Sequence, residues 1–257
     1  MNRTPLPVVA VTRYVTPLRE GGSLPGVVEG DDLGTYVCKF RGAGQGARVL
    51  VAEVIVSQLA TRLGLRTPRL VVLDVEDELA RYEADEEVQD LIKSSVGPNL
   101  GIDFLPGSFS LDGHVAAADD EGARVLWLDA FTANVDRSWR NPNLLLWHGD
   151  LWLIDHGASL YFHHGWRSGV TAPQKFAEQA WDVDGHVFET CAQRARELDA
   201  EISAALDRDV LVEVLAEVPE VWLEPVPGAE TPEALRAAYV DFLAARLGTR
   251  QWLPGGV

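Results

Sequence analysis

The stretch that decides the fold is Asp129–Tyr161, DAFTANVDRSWRNPNLLLWHGDLWLIDHGASLY. Its first residues continue an apolar run, Glu121–Val135, whose length and composition predict a buried helix. Asp136 falls where that helix ends, and an arginine-rich loop follows with Arg137 and Arg140. Two short apolar runs, Leu144–Trp147 and Leu151–Ile154, flank His148-Gly149-Asp150 in the pattern of a tight hairpin. Asp155 closes the second run, with Gly157 just beyond it.

Asp136, Asn141, Asn143 and Asp155 thus gather oxygen-bearing side chains around one hairpin. Such a set suits phosphoryl transfer. One Asp can orient or deprotonate a hydroxyl, while the Asn and the other Asp offer hard oxygen ligands to Mg²⁺. Asp and Asn also start loops and cap helices, so the same residues read as turn formers.

Working outward toward the N-terminus, Arg69–Asp74, Thr35–Phe40 and Val8–Val15 read as strands. Alternation puts Tyr36, Cys38 and Phe40 on one face of their strand and Lys39 on the other. Pro17–Gly34 reads as turns. Gly42-Ala43-Gly44-Gln45-Gly46 is a glycine-rich loop that runs into an apolar helix, Ala47–Leu63, stopped by Gly64. A glycine-rich turn before a helix can cradle an anion, although no Lys-Ser/Thr follows Gly46 as a Walker A loop would require. Val75–Lys93 reads as an acidic, solvated helical stretch, and Ser94–Gly107 as a loop linking two lobes. Downstream, helices are expected over Pro173–Trp181, His186–Leu206, Val210–Glu217 and Pro232–Leu247. The last places Leu235, Ala238, Tyr239, Phe242 and Ala245 on one face.

The chain holds three lysines against nineteen arginines, so a lysine in mid-strand invites a reason. Lys39 either snorkels to water or presents its ammonium to an anionic ligand. Glu53 shares a helix face with Val49, Val56 and Ala60. A carboxylate on such a stripe either reaches water at its edge or pairs with a cation, and Lys39, on the strand just upstream, is the obvious one.

The 257 residues are 47% apolar and 24% charged, the make-up of a packed globular protein. A formal charge of −17 argues against nucleic acid and anionic membranes as partners. Cys38 and Cys191 lie too far apart in sequence for a thiolate zinc cluster, and two cysteines make no disulfide framework. His148, His163 and His164 read as turn and surface residues rather than a transition-metal site. No run reaches the roughly 18 apolar residues of a membrane span. Met1–Pro5 lacks the build of a secretion signal, so a cytoplasmic location is expected.

Together these segments resemble the HipA-like kinase family, in a compact form. The pieces that carry the likeness are Val37–Phe40, Gly42–Gly46, Glu53, Asn134–Arg137, Asn141–Leu145 and Leu153–Gly157. The resemblance implies an α+β, two-lobed protein-kinase-like fold, with a strand-rich N-lobe (1–98) and a mainly helical C-lobe (99–257). It implies ATP and Mg²⁺ as cofactors and a hydroxyl acceptor, on a protein Ser/Thr or a small molecule. Lys39 would contact the nucleotide phosphates and pair with Glu53. Gly42, Gly44, Gln45 and Gly46 would border the nucleotide. Asp136 would be the catalytic carboxylate, with Arg137 beside it to steady the loop or a phosphate. Asp155 would bind metal, together with Asn141 by spacing or Asn143 by its following leucines. The family's glycine-rich loop precedes the lysine, whereas Gly42–Gly46 follows it, so Gly30–Gly34 is a second candidate cover for the phosphates. A nucleotide-binding pseudokinase and an enzyme transferring AMP through the same cleft are the alternative readings.

Overall fold

The computed structural model describes residues 6–18, 24–44, 46–111 and 119–254. The first part is a small closed barrel. Its strands are β1 (Val8–Pro17), β2 (Gly26–Gly30), β3 (Thr35–Lys39), β4 (Leu70–Val75) and β5 (Gly97–Asp103). They run in the order β1-β2-β3-β5-β4, and β1 closes the barrel parallel to β4. Tyr36, Cys38 and Phe40 do share the inner face. They pack with Val9, Val28, Val71 and Leu73 in a core of their own.

Helix α1 (Ala47–Arg62) is apolar nearly all round, and it is buried nearly all round. It lies between the outer face of the barrel, where Val72, Leu100 and Ile102 meet it, and the helical part. Helix α2 (Glu86–Ser94) is capped by Asp85, whose carboxylate accepts the Glu87 N–H at 3.0 Å. A 3-10 turn, Asp77–Tyr82, precedes it, so Val75–Lys93 is two pieces, and Val88 and Ile92 are buried rather than solvated.

Two expectations are corrected here. Pro17–Gly34 contains β2, whose two valines are too few to show a period. Ser94–Gly107 contains β5, which bonds to β3 on one side and β4 on the other. Its glycines masked it. Gly101 is needed because a Cβ there would lie 2.6 Å from the side chains of both Leu73 and Val71. The division at 98/99 therefore falls inside β5.

Helix α3 (Asp119–Thr132) is the spine of the second part, with Trp127, Leu128 and Phe131 fully buried. The sheet beside it orders β6 (Phe109–Ser110), β7 (Leu144–Trp147) and β8 (Asp150–Leu153). The β7–β8 turn is His148-Gly149, both with positive φ (51° and 87°), the conformation a two-residue hairpin favours. A 3-10 turn, Tyr161–Ser168, and α4 (Gln174–Glu178) follow. In the 3-10 turn His163 is buried against Tyr239 (2.9 Å) and His164 (3.2 Å), not on the surface as expected.

The expected helix Pro173–Trp181 shrinks to α4. His186–Leu206 divides into a 3-10 turn, Glu189–Cys191, then α5 (Ala192–Glu197) and α6 (Asp199–Ser203). Its Ala, Glu and Arg favour continuous helix, but the Asp199 carboxylate is held by Trp127 Nε1 (2.8 Å) and Arg250 Nε (2.5 Å), which fixes a break at Leu198. Helix α7 (Arg208–Ala216) precedes α8 (Pro232–Leu247), which begins on a Thr231 cap and buries Leu235, Tyr239 and Phe242 as expected. No described helix is long and apolar enough to cross a membrane.

Arg246 of α8 is wholly buried. Its guanidinium donates to the carbonyls of Phe176, Gln179 (3.0 Å) and Ala130 (2.7 Å), between the rings of Phe176 and Trp252. Burial lowers its pKa to about 9. It ties α3, α4 and α8 together through carbonyls alone. Arg246→Ala leaves those carbonyls unpaired and should cost roughly 3 kcal/mol or more in urea denaturation.

Candidate active site

Strand β3 delivers Lys39 to the face of the barrel that looks onto α1. There its ammonium donates to the Glu53 carboxylate and to Asp155 Oδ1 at 2.7 Å. Glu53 is 1% exposed and also accepts the backbone N–H of His156. The side chain of Asp155 is half-exposed. Three segments far apart in sequence thus meet at one charge. Gly157 permits the meeting, because a Cβ there would lie 2.5 Å from Val49 Cγ1 and 3.2 Å from Glu53 Oε1.

Burial alone would discharge Lys39, but the two carboxylates outweigh it and raise its pKa, so the ammonium persists. Burial likewise opposes the ionisation of Asp155. The charge and hydrogen bond of Lys39 prevail and hold Asp155 near 2. Glu53 is pushed up by burial against the pull of Lys39. Of the three groups, the half-exposed Asp155 carboxylate is the one on the open side.

Asp136 sits on the loop after α3. Its N–H donates to Asn134 Oδ1 (3.0 Å), and its Oδ2 accepts the Nδ2 groups of Asn141 (3.0 Å) and Asn143 (3.3 Å). The structure therefore brings both asparagines to the same carboxylate oxygen. With each Nδ2 turned to Asp136, each Oδ1 faces away. Asp155, Asn141 and Asn143 each carry a hard oxygen donor of the kind Mg²⁺ takes. Asn143 stands nearest to Asp155 in register, since the Ile154 N–H donates to its carbonyl at 3.0 Å.

Arg137 differs from expectation. It was grouped with Asp136 as catalytic, yet its side chain is fully buried and all its nitrogens are engaged within the protein. Nε donates to Asp129 Oδ2 (2.6 Å), and Nη1 to the carbonyls of Asn143 (2.6 Å) and Pro142 (3.2 Å). Nη2 meets His156 Nδ1 at 3.1 Å. It is a positioning residue that ties the Asp136 loop to the Asp155 turn.

Asp129, absent from the sequence expectations, is the buried anion behind that tie. Its carboxylate also accepts Asn134 Nδ2 (2.8 Å) and faces His186 Nε2 (3.0 Å). Burial opposes its charge, but Arg137 and His186 hold its pKa far below the usual carboxylate range. The tautomers follow from the partners. His186 Nδ1 accepts the Phe188 N–H (3.1 Å), so its proton is on Nε2. His156 Nδ1 faces only a donor, so its proton is also on Nε2, and burial pushes its pKa down to about 3. An Asp inside the apolar run Val125–Phe131 was the available signal, for a carboxylate there needs a buried cation.

The glycine loop joins β3 to α1, as expected. Gly42 N–H donates to Ser95 Oγ (3.0 Å), and a Cβ on it would lie 2.3 Å from Ser94 Oγ, so it packs on the end of α2. Gly44 has open space around it, Gly46 opens α1, and Gln45 lies outside the described residues. The turn at Gly30–Gly34 is at the end of β3 remote from Lys39, where Glu29 pairs with Thr35, and is closed on itself by Tyr36 Oη donating to Asp32 (2.6 Å). It is therefore excluded as the phosphate cover. Gly26 pairs with both Pro17 and Cys38, which puts the facing ends of β1 and β2 level with Lys39.

A strand barrel over a helical part, with a lysine and two carboxylates meeting between them, is the architecture of the protein-kinase-like phosphotransferases. The chain belongs to the HipA-like kinase family, which it matches over residues 11–251. It is similar in structure to CtkA, a proinflammatory kinase of Helicobacter pylori, at a TM-score of 0.51 and 10% identity, over 94% of this chain and 98% of that one. Weaker likenesses are to the Golgi casein kinase (TM-score 0.42, 13% identity, 96% and 72% covered) and to the same kinase with Mn and ADP bound (0.43, 12%, 96% and 73%). No curated protein matches in sequence.

Two outcomes follow. Asp129→Asn should lower kcat about tenfold or more per folded molecule while KM for ATP changes little, because the phosphate-side lysine is untouched. Equal loss in both parameters would make Asp129 merely structural. His156 stays neutral in the folded state while the unfolded chain takes up a proton below pH 6.5. Stability must therefore fall as pH drops from 6.5 toward 3. His156→Phe should flatten that fall by roughly 1 kcal/mol per pH unit in denaturant titrations at pH 6.5 and 4.5.

Proposed function

We propose that the chain is an ATP- and Mg²⁺-dependent kinase that transfers the γ-phosphoryl group to a protein Ser or Thr hydroxyl. The observation that carries this reading is the Lys39 ammonium shared between Glu53 and Asp155. Glu53, anchored in α1, fixes the ammonium. On nucleotide binding Lys39 turns from Asp155 to the phosphate oxygens, and Asp155 becomes free for a cation. Mg²⁺, held by Asp155 and Asn143, would neutralise charge on the phosphates.

Asp136 serves the acceptor side. Its Oδ2 is fixed by Asn141 and Asn143. That leaves Oδ1 to orient the hydroxyl and take its proton. The acceptor oxygen then forms a bond to the γ-phosphorus as the bond to the leaving ADP breaks.

Incubation with γ- and α-labelled ATP tests this. Label reaching an acceptor from the γ-position alone is expected. Label from the α-position would mean AMP transfer. No label from either, with ATP still raising Tm, would mean a binding module. Asp136→Ala should reduce turnover by about a hundredfold or more while the ATP-induced rise in Tm persists. Undiminished turnover would remove Asp136 from the mechanism.

A further inference from the structure

Beside the Asp136 loop lies a cavity of about 410 Å³ that the phosphotransfer chemistry does not use. One wall is the loop itself, and both neighbours of Asp136 in sequence, Val135 and Arg137, line it. The facing wall is the segment around Trp181–His186, which is laced to the loop. Trp181 Nε1 donates to the Asn134 carbonyl (2.7 Å), and the Trp139 N–H donates to the Gly185 carbonyl (3.1 Å). Ser138 and His186 form a β-bridge. The cavity is therefore rigidly indexed to the carboxylate that receives the acceptor.

Its lining is aromatic and acidic. Tyr161, Phe176 and Trp181 supply ring surface, and Tyr161 and Val135 stand exposed at 57% and 67%. Asp182 and Asp184 are exposed in the lining, and among the described residues no ion pair links either to a cation. The one cation in the lining, Arg137, is already neutralised by Asp129. Among the described residues the Asp182 carboxylate accepts only the Asp184 N–H (3.0 Å), and rings beside carboxylates that no cation neutralises attract a guanidinium or ammonium, through charge and through the ring faces. The volume suits one long side chain, and the exposed rim leaves room for an extended chain to pass.

We infer that this cavity is the acceptor subsite, and that it takes a Lys or Arg side chain of a peptide whose nearby Ser or Thr hydroxyl reaches Asp136. The inference rests on the phosphotransfer reading. The test is γ-label transfer to matched Ser/Thr peptides flanked by Arg, by Glu or by Ala. Arg-flanked peptides should be preferred. Asp182→Asn with Asp184→Asn should reduce the kcat/KM ratio of Arg- to Glu-flanked peptides about fivefold, a ratio independent of the folded fraction. Asp182→Lys with Asp184→Lys should reverse the preference. Transfer with equal or opposite preference in the wild type, or a ratio unmoved by both variants, overturns the inference. So does faster transfer to a cationic small molecule than to any peptide. Absence of transfer to every peptide and to water counts against the phosphotransfer reading instead.

Discussion

One buried ammonium organises this protein. Lys39 would lose its proton at so dry a position were it not for Glu53 and Asp155, and those carboxylates would not both ionise there without Lys39. Each needs the others, so the barrel strand, the central helix and the hairpin turn are held in one arrangement. A buried ion pair adds little net stability over apolar packing. What it gives here is placement. The Asp155 carboxylate is left facing the open side.

A second buried charge pair, Asp129 with Arg137, does the same for the Asp136 loop. It fixes the backbone of the Asp136 loop and the turn that carries Asp155. The two networks meet at His156, whose backbone serves Glu53 and whose ring serves Arg137. The Lys39 cluster and the Asp136 loop are therefore registered to each other through one short segment, Asp155–Gly157, and His156 is the joint between them.

Much of this was legible in the chain. The central helix showed itself as an apolar run stopped by Gly64, the β7–β8 hairpin by its glycine turn and the last helix by its apolar spacing. The face alternation of β3 located Lys39 opposite the barrel core. Other parts were hidden for physical reasons. In β5, Gly101 is small because Leu73 and Val71 press on it, so a buried strand looked like a loop. The break at Leu198 depends on Asp199 reaching Trp127 and Arg250, partners remote in sequence. Arg137 reads as steadying either the loop or a phosphate, and its buried partners decide for the loop. Which strand ends lie level with Lys39 depends on strand register, which no glycine count contains.

The most direct measurement is a crystal structure with a non-hydrolysable ATP analogue and Mn²⁺ in place of Mg²⁺, with the metal located by its anomalous signal. The account requires Mn²⁺ on Asp155 and Asn143, with the Lys39 ammonium moved onto a phosphate oxygen and still held by Glu53. A nucleotide bound elsewhere, or a metal peak away from Asp155, would contradict it.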